Sequence, residues 1–317
     1  YPISTYTHSA EDNIASEGKL SGEKTPTFPH ELKSGNALEI IRSTPFGNSL
    51  TKDFALKALE EEKLGKNGTT DFLAISFSST DYVGHSFGPQ SIELEDTYLR
   101  LDQDIADILA HLDAKLGKNQ YLVFLTADHA VAEIPSYIKS KRLPGGSFDN
   151  GKAINEAKAA LKKEFGEVEL MTGADNYQIY LNHTNLERLH ITKEAVAKVL
   201  EKSFKNQAGF AELVDMRAAA LSPIPAIYRE MIINGYNQAR SGDYMYLLKP
   251  QWFSGYKTGT SHSAVYAYDT HVPLLFFGWN VKPKEINQRT HISDIASTLA
   301  NWLKINEPSG SIGKVIQ

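Results

Sequence analysis

The stretch DFLAISFSSTDYVGHSFGP, residues 71–89, joins an apolar run to an aspartate and a histidine four positions apart. Residues 71–77 read as a buried strand bounded by polar residues. Asp81 and His85 stand directly behind it, with Gly84 between them to let the backbone turn tightly. A buried strand that ends on a carboxylate and an imidazole must compensate the desolvation of both, which points to something held between them.

Working outward, SIELEDTYLRLDQDIADILAHLDAKLG (91–117) places Leu94, Tyr98, Leu101, Ile105, Ile108, Leu112 and Leu116 at spacings of three and four. That is the period of an amphipathic helix, and Gly117 closes it as a C-cap glycine does. YLVFLTADHA (121–130) reads as a second strand, too apolar on both faces for an open antiparallel edge. Strand, helix and strand form a βαβ unit, which predicts a parallel sheet with a right-handed crossover. Upstream, SLTKDFALKALEEEKLG (49–65) has helical spacing with Gly65 as its stop. Downstream, HVPLLFFG (271–278) predicts a third buried strand and HISDIASTLANWLKI (291–305) an amphipathic helix.

Between them lie a turn-rich joint, KRLPGGSFDNGKA (141–153), and a mixed stretch reaching about residue 258. It holds helical patterns in KEAVAKVLEKSF (193–204) and IPAIYREMIINGYNQA (224–239), and short strands in NYQIYLN (176–182) and DYMYLL (243–248). The whole reads as an α/β fold, a mostly parallel sheet flanked by helices, with an α+β insertion. The expected divisions are a core segment over 1–145 with an irregular beginning, the insertion over 146–258, and a return to the core over 259–317.

The 317 residues are 41% hydrophobic and 22% charged, ample for a large core. The apolar runs are far shorter than the roughly 20 residues that span a bilayer, so no membrane partner is expected. A net charge of −5 argues against nucleic acid, which selects basic surfaces. Cysteine is absent, so thiolate sites are excluded and metal ligands must be Asp, Glu and His. The chain opens on Tyr1 with a polar stretch that lacks the apolar core of a targeting segment.

In open α/β sheets ligands bind at the carboxyl ends of the strands. Two predicted strands end there in acid-plus-histidine pairs, Asp81 with His85 and Asp128 with His129. His262, in the loop KTGTSHSAVY (257–266), is a third candidate. Imidazole and carboxylate at this density fit Zn²⁺ first, with Mn²⁺ or another divalent ion compatible. Singly each motif is weak, since a spacing of four also suits a capping or salt-bridged pair. Joint position at strand ends carries the expectation of a metal site. His271 reads as shaping the site or capping its strand, and His111 as packed or solvated on the long helix. His8, His30, His183, His190 and His291 show no converging partner in sequence.

The blocks SSTDYVGHSFGP (78–89), FLTADHA (124–130) and TGTSHS (258–263), followed by YDTHVPLLFFG (268–278), occur in an order that resembles the alkaline phosphatase superfamily. Within it they are most similar to the type I phosphodiesterase and nucleotide pyrophosphatase group, and there to phosphate-irrepressible bacterial alkaline phosphatases. The resemblance implies that Asp81, His85 and His262 are ligands of one zinc, and Asp128 and His129 ligands of a second, with two zincs per complete enzyme. Such a pair clamps both apical oxygens of an in-line phosphoryl displacement. It further implies an Asp ligand on a first strand and a Thr or Ser nucleophile at a helix N-terminus, both upstream of Asp81.

KTPTFPH (24–30), with Thr25 and Thr27, imitates the nucleophile motif, but no apolar strand ending in Asp precedes it, and it reads as a Pro-rich loop. The expectation is therefore a C-terminal portion of a larger phosphatase, without its nucleophile and N-terminal strands, carrying one full zinc site and half of another and inactive alone. An uncovered sheet edge would invite pairing with a second copy. Family habit places such an enzyme in the periplasm or outside the cell. The leading reading is a phosphate monoesterase working through a phospho-Thr or phospho-Ser intermediate. Phosphodiesters or nucleotide pyrophosphates are the alternative substrates, and a non-catalytic metal- or partner-binding α/β module is the alternative of another class.

Overall fold

A computed structural model of the chain describes residues 1–9, 11–12, 14–32, 37–255 and 258–317. Lys257, which opens the predicted His262 loop, lies outside the described residues, as do residues 33–36 of the irregular beginning. Eight strands form among the described residues: β1 Leu122–Thr126, β2 Gly146–Phe148, β3 Met171–Asp175, β4 Gln178–Leu181, β5 Phe210–Asp215, β6 Tyr244–Leu248, β7 Trp252–Ser254 and β8 Leu274–Gly278. The chain divides into two units, residues 1–111 with 129–271 and residues 112–128 with 272–317. The expected divisions at 146 and 258 bracket β2 to β7; the units divide elsewhere because β1 and β8 pair with each other.

In the first unit, the α+β elements build a core of their own. The sheet runs β3-β4-β6-β5, antiparallel throughout, and Asn176 and Tyr177 close the β3–β4 hairpin with φ of 45° and 61°, the left-handed pair a tight hairpin favours. Helix Lys193–Phe204 is set by its N-cap, Thr192, whose hydroxyl accepts the Ala195 N–H at 3.2 Å. Its Val196, Leu200 and Phe204, each four apart, are fully buried. Helix Asn150–Phe165 is capped by Asp149, which accepts the Lys152 N–H at 2.9 Å, and it adds Ala153, Ala157 and Leu161 to the same core.

Two helices deviate instructively from the sequence reading. The first begins at Pro45, not Ser49, because a proline at the first helical position loses no hydrogen bond, and it ends at Glu61 before reaching Gly65. Helix Ile92–Leu116 buries a partly polar face: Glu93, Asp96, Thr97 and Asp104 go inside, while Tyr98 of the expected stripe is 58% exposed. Partners explain the exchange. Asp104 meets Lys52 Nζ at 3.2 Å and the Ser49 hydroxyl at 3.0 Å, and Asp96 accepts from Tyr6 Oη and Arg100 Nε, both at 2.8 Å.

The predicted parallel βαβ unit is not what the ladders show. Residues 71–77 run without a ladder among the described residues, and Phe72 and Leu73 are 70% and 37% exposed. A strand exists only where a neighbour takes its N–H and C=O groups, and apolar patterning cannot supply one. β1 pairs instead with β8, antiparallel, from Leu122↔Gly278 to Thr126↔Leu274. β2 with β7 is the parallel pair of the described ladders. In the second unit, Phe276 of β8 meets Phe124 of β1 at 6.3 Å and Trp302 of helix Asp294–Leu303 edge-on at 5.2 Å. The other face of this ribbon carries Leu125, Leu275 and Phe277, 37%, 59% and 52% exposed.

Candidate metal centre

Asp81 and His85 lie on helix Ser79–Phe87, which begins where the extended segment ends. A spacing of four puts them on one face of that helix, and an aspartate in its first turn complements the positive end of the helix dipole. Val83 and Phe87, on the other face, are 1% exposed and anchor the helix against Leu20, Ile40 and Leu94. Gly84 is therefore not the turn the sequence suggested. It sits inside the helix, buried, where an added Cβ would only touch Leu94 Cδ2 at 4.0 Å.

His262 arrives from 175 or more residues downstream and completes a triad. Asp81, His85 and His262 each offer one ligand atom, all within 4.8 Å of one another, and they are the group of this kind among the described residues. Asp81 Oδ2 is 3.4 Å from His85 Nε2, close to the roughly 3.3 Å expected between two ligands held about 2.0 Å from a tetrahedral ion. The His85 ring is oriented from behind: its Nδ1 lies 2.8 Å from the Thr260 carbonyl oxygen, which can only accept, so Nδ1 carries the proton. His85 Nε2 is then the ring atom left to face the Asp81 oxygen, an arrangement that a shared cation would bridge. Asp81 Oδ1 fits the same demand, since it is buried and has no hydrogen-bond partner.

His129 joins this cluster. Its Nδ1 donates to the Ala130 carbonyl at 2.9 Å, its Nε2 lies 3.9 Å from Asp81 Oδ1, and its ring stacks on His262 at 3.5 Å and 14°. Asp128, its chain neighbour, is the last residue of the 112–128 segment of the second unit. His271 caps the short helix Ala267–Thr270 and is exposed. His111 lies 3.9 Å from Glu60. Thr25 and Thr27 are exposed, and no helix starts at either.

Three residues of the site's frame escaped the sequence reading. Gly259, at φ +74°, donates to the Ser16 carbonyl at 2.8 Å, and a Cβ there would meet the His85 carbonyl oxygen at 2.0 Å. Thr260 returns its N–H to the same His85 carbonyl at 3.2 Å. Asp269, 2% exposed, accepts the Ala264 N–H at 2.6 Å. Burial pushes its carboxyl up, opposed by the Ala264 N–H that it accepts. Only the carboxylate in YDTHVPLLFFG was visible as a signal. Three histidines read as solitary also have partners, His8 with Glu95 at 3.4 Å among them. His30 is clasped between Glu23 Oε2 and Glu93 Oε1, each at 2.9 Å, and His183 meets Asp243 at 3.0 Å.

The profile of the family described as "Type I phosphodiesterase / nucleotide pyrophosphatase" matches residues 4–273. The chain belongs to that family. It is 48% identical over 324 residues to a Myroides odoratus protein named "Calcium-transporting ATPase", with 100% of this chain and 59% of that protein aligned. It is 43% identical to "Alkaline phosphatase PafA" of Elizabethkingia meningoseptica, with 99% of this chain and 58% of that protein aligned. The crystal structure of wild-type alkaline phosphatase PafA superimposes with a TM-score of 0.94 at 42% identity, over 100% of this chain and 61% of that one. The fold is thus the alkaline-phosphatase-like α/β fold, and the chain spans about three fifths of the length of these relatives.

Proposed function

We propose that this chain carries part of the metal centre of a phosphoester hydrolase, with Asp81, His85 and His262 as ligands of one zinc and Asp128 and His129 as ligands of a second. The observation that carries the reading is the triad itself, with an Asp81 oxygen that is buried without a hydrogen-bond partner among the described residues and His85 Nε2 turned toward the same carboxylate. Zinc held there would supply Lewis-acid stabilisation of phosphoryl oxygens. The residues of this chain position and neutralise: the Thr260 carbonyl fixes the His85 tautomer, and His129 holds its ring against His262. The leading substrate class is a phosphate monoester. The nucleophile and the remaining ligand of the second zinc are assigned to the part of the relatives that this chain does not align with, so the chain alone should turn over poorly or not at all. On this reading the complete protein works in the periplasm or outside the cell, which fractionation of the source cells would check.

The test is zinc content after chelation and reconstitution, on this chain and on His262→Ala, with a chromogenic phosphate monoester alongside. One zinc, lost in the variant, with no turnover is the expected result. Zinc retained in His262→Ala would overturn the triad, and brisk turnover abolished by Thr25→Ala or Thr27→Ala would overturn the missing nucleophile. The description of the matching family favours a second reading, phosphodiester or nucleotide pyrophosphate hydrolysis. A diester and ATP assayed beside the monoester on the longer protein would separate the two.

A further inference from the structure

We propose that Asp269 is a positioning residue that sets the gap between His262 and His129, and thereby the metal affinity of the triad; this rests on the metal reading above. The residue is too buried to meet a substrate, at 2% exposed. Both ends of it hold chain next to a histidine. Its side chain accepts the Ala264 N–H at 2.6 Å, and its backbone carbonyl accepts the Ala130 N–H at 2.7 Å. The residues gripped are thus the second after His262 and the one that follows His129.

The grip on the His262 side also maintains an unfavourable backbone. Ser263 has φ +84°, a left-handed conformation unfavourable for a non-glycine residue. The Ala264 N–H held on the Asp269 carboxylate fixes the chain immediately after it and so maintains that conformation. A carboxylate suits the position because both its oxygens only accept, whereas an asparagine amide must turn its single oxygen to the Ala264 N–H and so presents its NH₂ group on the other side. The result is fine positioning, since the His262 and His129 rings already lie in van der Waals contact at 3.5 Å. Any slackening of the loop would move a ligand atom within a set confined to 4.8 Å.

The test uses Co²⁺ binding, followed by competition with a chromophoric chelator and by the visible absorption of the bound ion. Asp269→Asn is expected to bind about 10–100-fold more weakly, with an altered absorption band, as for other residues that orient metal ligands. Adding Ser263→Gly should restore part of the affinity, because glycine adopts the left-handed backbone without the cost. His262→Ala is the control. If it loses Co²⁺ and Asp269→Asn keeps wild-type affinity and band, the positioning role is wrong and the metal reading stands. If His262→Ala binds Co²⁺ normally, both fail. Should Asp269→Asn not fold, amide exchange on the unaltered chain decides: Ala264 and Ala130 must be protected about 100-fold or more over an open loop, and exchange at the open-loop rate overturns the proposal.

Discussion

His30 shows how a single side chain acquires a role through its neighbours. The ring packs against Phe87 at 4.9 Å and Phe28 at 6.3 Å, and its two nitrogens reach Glu23 and Glu93. Burial alone would lower its pKa, but the hydrogen bonds and charges of Glu93 and Glu23 prevail and raise it. A raised folded-state pKa means that the stabilisation is fully present below the unfolded value of about 6.5 and is lost as pH rises through the folded value. His30→Gln should therefore be less stable than the native chain by about 1–3 kcal/mol near pH 6, the range for a hydrogen bond to a charged group. The gap should narrow toward alkaline pH. Urea unfolding across that range is the measurement, and a gap independent of pH would contradict the clasp.

At the scale of elements, the site depends on irregular segments as much as on regular ones. The helix Ser79–Phe87 supplies two candidate ligands and a loop the third, and the N-terminal stretch braces both, Ser16 to Gly259 of the loop at 2.8 Å and Gly18 to the Ser86 carbonyl of the helix at 2.7 Å. Gly259→Ala would place a methyl group 2.0 Å from the His85 carbonyl oxygen on a backbone at φ +74°. The conformational strain alone is about 1–2 kcal/mol. Since both His85 and His262 would be displaced, zinc affinity should fall by more than the loss of stability predicts. Calorimetric zinc titration together with thermal unfolding checks this, and an unchanged affinity would show that the loop has slack.

On the scale of the whole molecule, apolar surface is the unresolved charge on the fold's stability. The β1–β8 ribbon exposes Leu125, Leu275 and Phe277 on one face, and a two-stranded ribbon is marginal without cover. This face and the ribbon's open edges are proposed to draw two copies of the chain together. Sedimentation at rising concentration should show dimers, and Leu275→Lys with Phe277→Lys should shift the chain to monomer. A native chain that stays monomeric at high concentration would rule the pairing out. No helix among the described residues is long and apolar enough to cross a membrane.

The sequence by itself determined the candidate metal-ligating triad and much of the local structure. Asp81, His85 and His262 are legible because few residue types ligate metals in a chain without cysteine, and helices such as Lys193–Phe204 are legible because a repeat of four fixes their buried face. Tertiary structure decided what depends on a distant partner. Residues 71–77 carry strand-like patterning yet form no ladder among the described residues, since pairing requires a neighbour that local pattern does not specify. The same holds for the antiparallel sense of β1 and β8, the burial of Asp96 and Asp104, and the clasp on His30. Asp269 belongs with these: it acquires its meaning from the Ala264 N–H on its carboxylate and the Ala130 N–H on its carbonyl, the second of which only folding brings to it.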